Sequence, residues 1–115
     1  MSTETEKRAQ QGGYTKERWD IAMKAREIAY DYNLTRPSEI EKRRALLGEL
    51  FARIGDRSVI EPPFHCDCGT NITIGEHFYA NCGCVILDED TVTIGDNVQL
   101  GPYVGIYAVG HSVHP

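Results

Sequence analysis

Apolar side chains in the second half of the chain recur at steps of six: Ile74, Ala80 and Ile86, then Ile94, Leu100 and Ile106. A second series lies four residues after the first two members of each set: Phe78 and Cys84, then Val98 and Val104. A six-residue step fits neither the 3.6 period of a helix nor plain strand alternation over a long run. It fits a parallel β-helix, in which each hexapeptide makes one flat face and three faces close a triangular coil. The segments 73–86 and 93–106 are near copies, offset by 20 residues where an uninterrupted three-face coil takes about 18. The surplus is expected in Asp88-Glu89-Asp90, as a small acidic loop at a corner.

The first half carries a different period. From about Thr15 to Tyr32 the positions Trp19, Ala22, Ala25, Ile28, Ala29 and Tyr32 fall on one helical stripe, which Asn33-Leu34-Thr35-Arg36-Pro37 breaks. Ser38 and Glu41 form an S-x-x-E capping box for a second helix with Ile40, Leu47, Leu50, Phe51 and Ile54 on one face, ending near Gly55. Two such stripes cannot be buried on each other alone, so one is expected to pack on the β region or on a partner. Residues 1–57 therefore read as a helical cap and 58–115 as coils. Two prolines in Ile60-Glu61-Pro62-Pro63-Phe64 predict an irregular lead-in rather than a central strand. Gly75, Gly95, Gly101 and Gly105 mark tight turns or close backbone approach.

Composition narrows the function. Twelve basic and 17 acidic residues give a net charge of −5, which argues against a nucleic-acid backbone as partner. No apolar run approaches the ~20 residues that span a bilayer, and the polar start has no secretory pattern, so a cytoplasmic protein without a membrane partner is expected. Cys66, Cys68, Cys82 and Cys84 form two C-x-C pairs. They would make a four-thiolate site only if the pairs stacked on neighbouring coils; small buried reduced thiols are the plainer reading, and no metal is expected.

The run from Pro37 to His111 resembles the galactoside and maltose O-acetyltransferases of the hexapeptide acyltransferase superfamily. The matching phrases are Pro37-Ser38-Glu39-Ile40-Glu41-Lys42-Arg43, Ile60-Glu61-Pro62-Pro63, Gly69-Thr70-Asn71-Ile72, Phe78-Tyr79-Ala80-Asn81 and Thr91-Val92-Thr93-Ile94-Gly95-Asp96-Asn97. They cover about two thirds of the chain and reach only the first half of a family protein. The resemblance implies a homotrimer of left-handed β-helices with sites between subunits, acetyl-CoA as donor and a sugar or galactoside hydroxyl as acceptor. It assigns the catalytic base to His111 and acceptor contacts to Tyr79, Asn81, Asp67, Asp88 and Glu89. A sugar hydroxyl is a weak nucleophile at neutral pH, and a neutral imidazole can take its proton as the oxygen attacks the thioester. Asn81 can equally serve as a turn residue, and the carboxylates as a solvated corner. His65, His77 and His114 read as structural or solvated.

The chain departs from the family at Ser112, where proline usually follows the histidine. Only two clear coils precede its end, leaving Leu100, Val104 and Ile106 uncovered, so a fragment of a longer enzyme with little activity of its own is expected. An inactive trimerisation or scaffold module is the alternative, and a metal-binding solenoid built on the C-x-C pairs a third.

Overall fold

The computed structural model describes residues 15–109. Two helices, α1 (Lys16–Asn33) and α2 (Ile40–Leu50), precede nine short strands. These are β1 (Arg53–Ile54), β2 (Val59–Ile60), β3 (Phe64–Cys66), β4 (Ile72–Ile74), β5 (Tyr79–Ala80), β6 (Cys84–Asp88), β7 (Val92–Ile94), β8 (Gln99–Leu100) and β9 (Gly105–Ala108). Three parallel sheets, β1-β4-β7, β2-β5-β8 and β3-β6-β9, are the three faces of a left-handed β-helix.

Register accounts for the 20-residue offset. Ile54 pairs with Ile74 and Ile74 with Ile94, while Ile60, Ala80 and Leu100 stack in one column. Phe64 pairs with Cys84, and Cys66, Ile86 and Ile106 form a further column. Every coil is thus 20 residues long, with the surplus at the corner joining the third face to the first. The inward columns bury Ile60, Phe64, Ile72, Ile74, Phe78, Ala80, Cys84 and Ile86 to 1 % exposure or less. Each large aliphatic or aromatic side chain so buried contributes roughly 1.5–3 kcal/mol.

Three expectations need correction. The described residues contain three coils rather than two, because the proline-rich lead-in is the first coil: β2 and β3 flank Pro62-Pro63, whose missing N–H groups fall at a corner where no ladder bond is lost. The coils begin at Arg53, before the expected boundary at 58. The second helix starts later and stops earlier than its pattern suggests. Its cap position is Glu39, with no side-chain cap, and Glu39 Oε1 instead accepts from Arg36 N at 2.8 Å, so the Ser38–Glu41 box does not form. The chain leaves the helix at Phe51, whose ring meets Phe64 edge-on at 5.6 Å, and Ala52 N already pairs with Ile72 O.

The first helix follows its stripe, with Thr15 Oγ1 accepting from Arg18 N and Ala25, Ile28, Ala29 and Tyr32 buried. Its end is stitched to the first coil. Asn33 Nδ2 donates to Phe64 O at 3.0 Å and Asn33 Oδ1 accepts from Phe64 N at 2.9 Å, while the Tyr32 hydroxyl donates to Ile60 O. One side-chain amide thereby imitates a neighbouring strand and closes an edge that would otherwise be open to pairing. Burial pushes the Tyr32 phenol up to about 12, so it stays a donor across the physiological range.

Candidate acceptor corners

The strand alternation of β6 decides what each candidate side chain can do. Cys84, Ile86 and Asp88 share the inward phase, so the carboxylate of Asp88 enters the prism at 0 % exposure. There Oδ1 accepts from Asp67 N at 3.1 Å and Cys68 N at 2.9 Å, and Oδ2 from Asn71 N at 3.3 Å. Asn71 Nδ2 returns a bond to Asp88 O at 2.8 Å. Asp88 is thus the internal brace of the surplus corner. This departs from the expectation of a ligand-contacting residue in a solvated loop, because both oxygens are taken up by backbone donors out of reach of solvent.

The same corner requires a glycine. Gly69 has φ +75°, and a Cβ there would strike the carbonyl oxygen and side chain of Leu50 at the end of α2. By contrast Gly75 needs close approach, with Gly95 and Asp96 of the next coil directly against it, and not a positive φ. Besides Gly69 and Gly83, the left-handed conformations fall on Arg57, His77, Asn97 and Tyr103.

Asp67 and Glu89 flank the brace and are both half-buried. Burial, then the charges of Asp88 and Glu89, push the Asp67 carboxyl above the usual carboxylate range, against the pull of Arg26 and Arg18 on α1. Tyr79 and Asn81 lie at the end of the second face, just before the chain enters the third. Two residues apart, they point to the same outer side. Tyr79 is 37 % exposed on β5. Asn81 Oδ1 accepts from Cys82 N at 2.7 Å, fixing the turn, and its Nδ2 finds no partner among the described residues. Asn81 therefore combines the turn role with a free donor. The five-residue strand β6 separates this pair from Asp67 and Glu89 by roughly 17 Å at ~3.3 Å per residue. One protomer does not bring the two pairs to one small ligand. His111 lies outside the described residues.

His65 and His77 are exposed, His77 at a left-handed corner with Nε2 3.3 Å from Arg57 NH1. The cysteine pairs do not stack, since they are offset by 16 residues in a 20-residue coil; Cys84 sits over Phe64 and Cys66 over Ile86. Burial raises the Cys66 and Cys68 thiols, helped by the Asp88 charge, and lifts Cys84 to about 11. These three are protonated thiols at neutral pH, and thiolate chemistry is disfavoured.

The sequence reading misses the part Asn33 plays and names Asp88 in another role. Asn33 read only as a helix breaker, and nothing in its neighbourhood signals an edge contact 31 residues away. The inward turn of Asp88 did have a signal, the alternation Cys84-Ile86-Asp88.

Residues 14–55 match the family model described as the maltose acetyltransferase hexapeptide capping motif. The chain is 45 % identical over 92 residues to galactoside O-acetyltransferase of Escherichia coli, covering 80 % of this chain and 45 % of that protein. Among solved structures, a galactoside acetyltransferase in complex with coenzyme A superposes with a TM-score of 0.77 at 43 % identity, covering 83 % of this chain and 48 % of the other. A maltose O-acetyltransferase from Clostridium difficile gives 0.77 at 38 % identity, with 78 % and 48 % covered. The chain spans about half the length of the curated relatives it matches.

Proposed function

From a chain that belongs to the galactoside and maltose O-acetyltransferase family, matched over that family's N-terminal half, we propose the acceptor-side half of an acetyl-CoA-dependent sugar O-acetyltransferase that works as a homotrimer. The observation that carries this reading is the split between the two corner groups. Tyr79 with Asn81 and Asp67 with Glu89 are separated by the whole third face within one protomer. A second copy set against that face would bring one protomer's Tyr79 and Asn81 towards another's Asp67 and Glu89. Tyr79, Tyr103 and Tyr107, at 37, 79 and 68 % exposure, supply apolar area for such packing.

In this reading the free Asn81 amide donates to a sugar hydroxyl, while Asp67 and Glu89 accept from others. Asp88 has no direct role and holds the corner that presents Asp67 and Glu89. His111 removes the proton of the reacting hydroxyl as its oxygen becomes nucleophilic. The donor supplies an activated acetyl thioester. The described residues do not fit it as a binding surface: one corner group is a pair of carboxylates, unsuited to phosphates, the other, Tyr79 with Asn81, carries no cation, and the third coil offers Val98, Leu100 and Ile106 without cationic neighbours on their columns. The donor surface is assigned to the later coils of a full-length protein.

The test joins residues 1–110 and His111 to the C-terminal half of the Escherichia coli galactoside O-acetyltransferase. The expected result is a trimer that releases coenzyme A from acetyl-CoA only with a galactoside or maltose acceptor, and loses ~10²–10⁴-fold of that rate with His111→Ala. A chimera that trimerises and binds coenzyme A yet acetylates no sugar would overturn the reading in favour of a scaffold module.

A further inference from the structure

A cleft of about 330 Å³ opens between α2 and the first coil, away from both corner groups. Its volume lies in the range of small-ligand pockets. One wall is a single helical stripe, Ile40, Arg43, Arg44 and Leu47, at positions i, i+3, i+4 and i+7. The opposite wall is the segment from Ile54 to Glu61, which carries the first corner of the prism. Leu47 packs into the core at 4 % exposure, whereas Ile40 and Val59, which also line the cleft, stand 60 % and 45 % exposed. The cleft therefore keeps apolar side chains of both walls open to a ligand.

We propose that this cleft is a ligand site for a small amphiphilic anion, an aromatic or short aliphatic body carrying a carboxylate or sulfonate. The charges select the sign. Arg43, Arg44 and Arg57 line the cleft against Asp56 and Glu61, a locally positive surface on a chain of net charge −5. None of the three guanidiniums is neutralised by a buried carboxylate. Arg43 Nε donates to Thr35 Oγ1 at 2.8 Å, Arg57 NH1 lies 3.3 Å from His77 Nε2, and Arg44 reaches only the exposed Glu41 at 3.3 Å, a weak pair. An anion bridging Arg44 and Arg57 at the mouth would place its apolar body over Ile54, Val59 and Leu47. A sugar does not suit those walls, so the site is separate from the proposed acceptor chemistry and does not depend on it.

The probe is anilinonaphthalene sulfonate, titrated by fluorescence against the full chain, with uncharged phenylnaphthylamine as its comparison. Saturable binding of the sulfonate at one site per chain is expected, with the neutral analogue about tenfold weaker or more. Arg44→Gln combined with Arg57→Asn should weaken the sulfonate about tenfold. Asparagine is chosen because Asn97 holds the equivalent corner at φ 61°, so the backbone is preserved. Tyr103→Asn combined with Tyr107→Ser removes the exposed rings of the third coil and should leave binding unchanged. Loss of binding in that tyrosine variant, equal binding of the neutral dye, or no change in the arginine variant each overturns the proposal.

Discussion

At the corner joining the third face to the first, the Asp88 carboxylate sits wholly buried and gathers three backbone N–H groups. At the corner joining the first face to the second, Arg57, His77 and Asn97 turn the chain in solvent with φ of 59°, 55° and 61°. The first corner must absorb the residues beyond a six-residue face, so its backbone donors point inward and need a buried acceptor. The second is short, and its donors reach the neighbouring coil: His77 N meets Asp56 O, Asn97 N meets Glu76 O, and Glu76 N meets the exposed Asp96 Oδ1 at 2.8 Å. A buried acceptor shared by three backbone donors makes one corner sensitive to substitution. Solvent and redundant bonds make the other tolerant.

The largest expected effect is at Asp88. Asp88→Ala strips an acceptor from three backbone donors and should cost about 4 kcal/mol, read as a lowered midpoint in urea unfolding. Asp88→Asn keeps the shape and one acceptor oxygen but turns an amide donor towards Asn71 N; about 2 kcal/mol is expected. Gly69→Ala follows at about 2–3 kcal/mol, from a left-handed backbone and the collision with Leu50. At the exposed corner Asp96→Ala should cost only about 0.5–1 kcal/mol. A loss there as large as that at Asp88 would erase the contrast.

The smallest effect sharpens the contrast through pH. The Asp67 carboxyl is raised, chiefly by burial, so the fold favours its protonated form. That contribution is fully present below the ordinary value near 3.8 and is lost as pH rises through the raised one. Asp67→Asn should therefore raise the thermal midpoint slightly at neutral pH, with the advantage over the parent vanishing in acid. Equal advantage at both ends would show that neither burial nor the neighbouring carboxylates raise Asp67.

The two corners were not equally legible before the structure. The exposed one follows from the repeat: Glu76-His77 and Asp96-Asn97 occupy the same place in two copies, though nothing in the pattern marks the left-handed backbone at His77. Asp88 was legible only by carrying strand alternation one step past Leu87, against the habit of reading three consecutive acids as a loop. The Ser38–Glu41 box failed for a related reason. Local spacing cannot register that Glu39 binds back to Arg36 N instead.

Side-chain order alone determined the winding of this protein, because a period of six admits only one way to bury Ile74, Ala80, Ile86 and their equivalents together. It also determined that α1 precedes the coils and presents one apolar stripe. The closing of the first coil by Asn33, the inward turn of Asp88, the splayed cleft beneath α2 and the separation of Asn81 from Glu89 were decided by tertiary structure. Each depends on groups distant along the chain meeting in space, which a one-dimensional pattern does not carry.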